Sequence, residues 1–185
     1  MQTHYFFAVR LPDDAKERLK QKCGAAAEML EFQKWVHYLD YHITLAFLGN
    51  AGKDKLQHAA GLVRKALREE EAFSLSTSKF GVFGKPDQPR IFWADTAAGP
   101  RLAEVRQKVF DACTEAGFQL ETRPFKPHIT LARKWAGSSP FDPALLENES
   151  FLTERISFPA AEVVLYQTHM DRSPKYEAIE VYTLK

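Results

Sequence analysis

One five-residue string, His-Ile-Thr-Leu-Ala, occurs twice in this chain of 185 residues. The first copy begins at His42 and the second at His128, about half the chain apart. Alternate residues of a β-strand face the same side, about 6.6 Å apart. If both copies are strands, each one directs an imidazole and a hydroxyl to the same side. These pairs are His42 with Thr44 and His128 with Thr130.

Two imidazoles and two hydroxyls facing one substrate suit concerted acid–base catalysis. A neutral imidazole can take a proton from the nucleophile while a protonated imidazole gives one to the leaving group. Histidine fits both roles because its ordinary pKa is near neutrality. The hydroxyls can donate hydrogen bonds to a phosphoryl oxygen whose negative charge grows in the transition state. The pattern therefore predicts attack on a phosphodiester, such as a cyclic phosphate on ribose, without a metal or a cofactor.

Three other interpretations fit the repeat less well. Zinc catalytic sites usually take three protein ligands, and neither copy contains a carboxylate or a cysteine. A nucleophilic serine often lies in a Gly-x-Ser-x-Gly turn. The sequence lacks this motif, which argues against serine catalysis of that kind. The third interpretation is two ordinary strands with structural histidines. Duplication argues against it, because a buried histidine is costly unless its nitrogens have partners.

The elements that must position these residues alternate between amphipathic helices and short strands. This order favours an α+β fold with antiparallel sheets, and no Pro/Ser-rich linker divides residues 1–185, so we expect one domain. The predicted helices are Asp13 to about Leu30, Leu56–Leu67, Leu102 to about Gly117 and a short one after Asp142-Pro143; the predicted strands are Tyr5–Val9, part of Trp35–Leu48, Phe73–Thr77, Arg90–Asp95, His128–Arg133, Phe151–Phe158, Val163–Thr168 and Tyr176–Leu184.

Composition excludes several classes of protein. The net charge is +1, with 45% hydrophobic and 26% charged residues, which disfavours both disorder and charge-driven duplex binding. Cys23 and Cys113 fall in predicted helices, as expected of core residues in a reduced, cytoplasmic protein. No signal peptide is visible. No apolar run approaches the ~18 residues of a membrane span, so we expect no membrane partner.

The sequence around both copies resembles the two-histidine (2H) phosphoesterases. Within that group it is similar to the RNA 2′,3′-cyclic phosphodiesterases, also called 2′-5′ RNA ligases (LigT-like). The resemblance rests on KWVHYLDYHITLAFLG and RPFKPHITLAR, and extends to YFFAVRLPDD and GVFGKPDQPRIFWAD. The chain departs from the family pattern at Lys34, where arginine is common, and at Thr168, where serine is usual. Neither departure touches the paired motif, so both bear on substrate preference only.

The resemblance implies a fold and a reaction. The fold has two pseudo-symmetric lobes, each an antiparallel sheet flanked by helices, with the active site in the groove between them. His42, Thr44, His128 and Thr130 would converge there on the scissile phosphate of an RNA 2′,3′-cyclic end, with tRNA fragments among the candidates. Hydrolysis would give a 2′-phosphomonoester, with His42 as the acid and His128 as the base, and reversal would give 2′-5′ ligation. We expect a monomer.

Arg133 and Phe83 are further candidates for substrate binding. The resemblance suggests that Arg133 reaches the phosphate or the base. In a regular strand the Arg133 side chain would point away from the His128 side, so substrate binding by Arg133 requires the strand to end or twist. Phe83, in a predicted turn from Gly81 to Pro89, is a candidate for stacking on an RNA base.

Two alternative functions remain open at this stage. One is hydrolysis of a small cyclic nucleotide such as ADP-ribose 1″,2″-cyclic phosphate, and the other is a non-catalytic RNA-end-binding module. The sequence does not order the two histidines as acid and base. The remaining polar residues are assigned to structure or solvent: His37 to the groove lining, His4, His58 and His169 to the surface or structural bonds, and Glu69–Glu71 to a solvated helix end.

Overall fold

A computed structural model describes residues 3–97, 99–147 and 154–185, without the side chain of Ser78. These residues form an α+β fold, which confirms the predicted fold class. Two short 3₁₀ turns lie at Tyr38–Asp40 and Pro143–Glu147. The helices are α1 (Asp13–Ala27), α2 (Lys53–Leu67) and α3 (Pro100–Glu115); the strands are β1 (Tyr5–Arg10), β2 (Phe32–Trp35), β3 (His42–Gly49), β4 (Phe73–Lys85), β5 (Gln88–Ala97), β6 (His128–Trp135), β7 (Ser157–Ala160), β8 (Glu162–Thr168) and β9 (Tyr176–Thr183).

The strands form two antiparallel halves that meet at their motif strands. Lobe 1 has the order β3-β1-β8-β9, and lobe 2 has the order β6-β5-β4-β7, with β2 also paired to β6. The halves join where β3 pairs with β6 at Ile43 and Ile129. The bilobal, pseudo-symmetric arrangement is therefore confirmed, and the two copies of the repeat occupy equivalent positions beside the junction.

The lobes do not correspond to the two halves of the chain. Strands β8 and β9 come from the C-terminal end, yet they complete the sheet of β1 and β3. Strand β4 comes from the first half and β5 spans the middle of the chain, yet β4 pairs with β5, and β5 pairs with β6 from the second half. Each lobe therefore takes strands from both halves of the chain.

The helices cover one face of the sheet and leave the other for the histidines. Apolar side chains of all three helices pack with Ile43, Leu45, Ile129 and Leu131 in one large core. Alternate residues of the motif strands lie on the opposite face, where His42, Thr44, His128 and Thr130 are each half-buried. We call this opposite face, as defined by those four side chains, the motif face.

One predicted turn is instead a long hairpin. The sequence predicts a turn-rich segment from Gly81 to Pro89, but β4 continues to Lys85 before β5 begins. Gly81 allows a close approach within the hairpin, because a Cβ there would lie 2.3 Å from ring carbons of Trp93. Gly84 has φ +116, a conformation that favours glycine. Glycine at these two positions permits a close contact and a local distortion within a strand, so its presence there does not indicate a turn.

The acidic run after α2 is also not wholly solvated. Glu70 is 6% exposed, and its carboxylate forms ion pairs with Arg101 and Lys108 at the start and middle of α3.

Cys23 and Cys113 are free and buried, as predicted, and burial raises the pKa of each thiol to about 12.

Part of the predicted strand Phe151–Phe158 lies outside the described residues, and the described strand there is β7. Among the residues with described positions, no helix is both long and apolar enough to cross a membrane.

Candidate active site

The junction between β3 and β6 brings the two copies of the repeat together. Side chains next to a cross-strand pair lie on the same face of an antiparallel sheet. The Ile43–Ile129 pair therefore sets His42 beside Thr130 and Thr44 beside His128. The two imidazoles are close enough for the charge on His128 to lower the pKa of His42. All four predicted catalytic and phosphate-binding side chains thus share one site.

A β-bulge directs Arg133 toward this site. The pairing of β6 with β5 shifts by one residue between Thr130 and Ala132, and β3 shifts in the same place between Thr44 and Ala46. Because a bulge inserts one residue, it reverses the alternation beyond it. Arg133 consequently lies on the motif face, near enough for its charge to lower the pKa of both histidines.

The environment of His42 is held by backbone and aromatic contacts. Its Nδ1 lies 2.7 Å from the Asp40 carbonyl oxygen, so Nδ1 carries the proton and donates. Its Nε2 is 3.0 Å from Thr44 Oγ1. The rings of Phe6 and Tyr176 lie 4.8 and 5.1 Å from the imidazole, centroid to centroid. Burial among these groups lowers the pKa of His42 to about 4.

His128 makes the same kind of backbone contact as His42 but has different aromatic neighbours. Its Nδ1 donates to the Lys126 carbonyl oxygen at 2.7 Å, again two residues upstream. Phe83 lies edge-on to the imidazole at 5.0 Å, and the ring of Trp93 lies 6.4 Å away. Burial lowers the pKa of His128, and Arg133 adds to that effect. In both copies a carbonyl fixes Nδ1, so the neutral imidazole has its lone pair on Nε2.

Several site residues were missed by sequence reasoning. Asp40 is 5% exposed, and its carboxylate accepts hydrogen bonds from the backbone N–H groups of Lys175 and Tyr176 at 2.9 to 3.2 Å. These bonds fix the start of β9 beside His42. Burial raises the pKa of Tyr176, whereas Arg133, which donates to its hydroxyl, opposes that rise. Only folding brings these residues together, and no spacing in the sequence marks them.

The other histidines lie where the sequence placed them or serve structural roles. His37 Nδ1 accepts a hydrogen bond from the Leu39 N–H at the start of the 3₁₀ turn. His169 forms an ion pair with Glu177. His58 is exposed on α2. Within the described part of the chain, no group of three or more His, Cys, Asp or Glu side chains is placed to hold a metal ion.

Comparison with known proteins identifies the family. The model of the 2′-5′ RNA ligase superfamily matches residues 26–172, which include both copies of the repeat. The chain belongs to this superfamily. The family resemblance inferred from the two motif blocks is thereby confirmed.

Curated relatives resemble the chain over nearly all of its length. An RNA 2′,3′-cyclic phosphodiesterase of Geobacillus stearothermophilus is 42% identical over 98% of this chain, which spans 57% of that relative. One of Bacillus subtilis is 39% identical over 98% of this chain and 96% of its own length. The crystal structure of E. coli LigT with 3′-AMP shares the fold, with a TM-score of 0.78 and 23% identity over 100% of this chain and 99% of that one.

Proposed function

We propose that this chain hydrolyses RNA 2′,3′-cyclic phosphate ends to 2′-phosphomonoesters. The observation that carries the proposal is the junction of β3 and β6, where His42 and His128 share one face and each holds Nδ1 on a backbone carbonyl. The names of the curated relatives, RNA 2′,3′-cyclic phosphodiesterase, support the same substrate.

In the proposed reaction, two proton transfers accompany the exchange of one P–O bond. His128 Nε2 takes a proton from water as the water oxygen bonds to phosphorus. The bond from phosphorus to O3′ breaks, and protonated His42 gives its Nε2 proton to that oxygen. The products are a 2′-phosphomonoester and a 3′-hydroxyl. The family resemblance supplies this order of acid and base, and the matching Nδ1 contacts allow either histidine to serve in either role.

Thr44 and Thr130 are proposed to bind the non-bridging phosphoryl oxygens. Thr44 Oγ1 is within hydrogen-bond distance of His42 Nε2, so substrate would replace this contact with one to phosphate. Donors aimed at developing charge contribute most in a site that excludes water. Arg133 on the motif face would supply a positive charge to the phosphate, and Phe83 beside His128 would stack on a base.

Reversal of the same steps would form a 2′-5′ bond. A 5′-hydroxyl would replace water, and the two histidines would exchange roles. Because water is abundant, we propose that hydrolysis predominates. We further propose that residues 1–185 work as one bilobal monomer in the cytoplasm, with tRNA fragments among the substrates.

Turnover of a dinucleotide ending in a 2′,3′-cyclic phosphate tests the proposal. The assay contains EDTA, and chromatography identifies the phosphate position in the product. We expect a 2′-phosphate, with losses of about 10² to 10⁴ in rate for His42→Ala and for His128→Ala. The double variant should be little worse than either single one, because the residues act as a unit. His58→Ala, on an exposed face of α2, is the matched control.

Three results would contradict the proposal. They are inactivity of the wild type toward the dinucleotide, restoration of activity by metal after EDTA, and more than half of the wild-type rate in either histidine variant. A wild-type enzyme that turns over only ADP-ribose 1″,2″-cyclic phosphate would support the small-nucleotide alternative. Binding of RNA ends without turnover would support the binding module.

A further inference from the structure

A pocket adjoins His128 on lobe 2. Its volume is about 360 Å³, which exceeds the size of one nucleobase. The rings of Phe83 and Trp93, whose centroids lie 5.0 Å apart, both line it. Lys79, Asp95, Lys126 and His128 line it as well.

Asp95 gives this pocket a carboxylate. It pairs with His128 across β5 and β6, and directly opposed residues project to the same face of a sheet. The equivalent position in lobe 1 is Arg10, which pairs with His42 and forms an ion pair with Glu162 at 3.0 Å. The pseudo-symmetric halves therefore differ in the sign of the charge beside the motif histidine.

The Asp95 carboxylate repels phosphate, so the part of the pocket beside it calls for another ligand group. Lys79 and Lys126 also line the pocket, and their two positive charges outnumber the single charge of Asp95. A carboxylate accepts up to about four hydrogen bonds, so a bond within the protein leaves Asp95 able to accept from a ligand. The group that fits is an uncharged donor edge lying against aromatic walls, and a nucleobase has both features.

The four RNA bases differ in the donors that they offer to a carboxylate. Guanine has a ring N–H beside an exocyclic amino group, and these two donors match the two carboxylate oxygens. Adenine and cytosine each offer one amino group, and uracil offers one ring N–H between two carbonyls. Carbonyl oxygens directed at a carboxylate repel it, so uracil is the poorest match.

We propose that Asp95 selects guanine as the base of the nucleotide that carries the cyclic phosphate. This inference rests on the proposed function, because it places that nucleotide beside Phe83 and His128. Phe83 stacks on the base, and the Asp95 carboxylate accepts from its ring N–H and amino group. A good bidentate pair is worth about 1–3 kcal/mol of discrimination, or roughly 5- to 150-fold.

Kinetics with four mononucleotides test the selection. The substrates are guanosine, adenosine, cytidine and uridine 2′,3′-cyclic phosphates, each measured with wild type, Asp95→Asn and Asp87→Asn. Asp87 lies in the exposed turn of the same hairpin and outside the pocket. Asp87→Asn is therefore the control, because it makes the same Asp-to-Asn change away from the pocket. We expect wild type to prefer guanosine over uridine by about tenfold or more in kcat/KM. Asp95→Asn should abolish this ratio, and Asp87→Asn should keep it.

Binding of guanosine and uridine 2′-monophosphates by calorimetry supplies a readout that needs no turnover. A guanosine preference in wild type that Asp95→Asn removes supports the inference, even if no cyclic substrate is hydrolysed and the proposed function fails. Equal affinity for the two nucleotides in wild type would overturn the inference. So would an equal loss of kcat/KM for all four substrates in Asp95→Asn, because that result assigns Asp95 to structure or proton transfer.

Discussion

Protonation of His42 should make the free energy of unfolding depend on pH, and substitution of His42 should remove this contribution. Burial lowers the pKa of His42 from 6.5 to about 4. Between these values the unfolded chain binds a proton that the folded protein does not. Stability therefore falls as pH decreases from 6.5 toward 4, and the His42 contribution is fully present only above pH 6.5.

The expected size follows from the pKa difference. One pKa unit corresponds to about 1.4 kcal/mol, so the full effect is about 3 kcal/mol. Between pH 7 and pH 5, His42 alone should lower the free energy of unfolding by about 2 kcal/mol. His42→Asn removes the titrating group, and its amide can still donate to the Asp40 carbonyl. The variant should thus lose about 2 kcal/mol less than wild type over this range.

Urea unfolding, followed by tryptophan fluorescence at pH 7 and pH 5, measures the difference. Acetate and Bis-Tris buffers avoid phosphate, which would bind the site and raise the histidine pKa. His58→Asn on the exposed face of α2 is the control and should behave as wild type does. Equal pH dependence in wild type and His42→Asn would refute the reasoning, and a titration of the His42 ring protons by NMR would then show a midpoint near 6.5.

The remaining predictions concern the site and its support. Thr44→Ala, which loses the contact to His42, should lower kcat by up to about 10² to 10³, and Thr44→Ser should recover most of the rate in the dinucleotide assay. Arg133→Gln should raise KM about tenfold or more, because a charge-assisted hydrogen bond is worth about 1.5–3 kcal/mol; an unchanged KM would place Arg133 outside the phosphate site. The kcat/KM profile should be bell-shaped with its maximum below pH 6.5, since burial lowers the pKa of both histidines. Gly81→Ala should destabilise the protein by about 1–3 kcal/mol against the Trp93 ring. Gly61→Ala, whose added Cβ would meet no atom within 4 Å apart from its chain neighbours and the nearby backbone of its own helix, should stabilise α2 slightly, and urea midpoints compare the two.

Local sequence determined the parts of the site that depend on a few neighbouring residues. Strand alternation placed His42 with Thr44, and His128 with Thr130, because side-chain direction in a strand follows from the backbone alone. Helical spacing likewise identified α1, α2 and α3, with differences of two or three residues at one or both ends of each helix. The duplicated motif indicated paired acid–base chemistry and the family.

Only the tertiary structure decided how the two copies meet and what surrounds them. The bulge in β6 is defined by its pairing with β5, so it cannot be inferred from the sequence of β6 alone. For this reason regular alternation predicted the wrong face for Arg133. Tyr176 reaches His42 because Asp40 binds the backbone more than a hundred residues later in the chain. The lowered pKa of His42 follows from the same assembly, since burial is a property of the packed lobes and not of the His-Ile-Thr-Leu-Ala segment. Contacts between residues distant in sequence have no local pattern, and for that reason they appear only when the chain is folded.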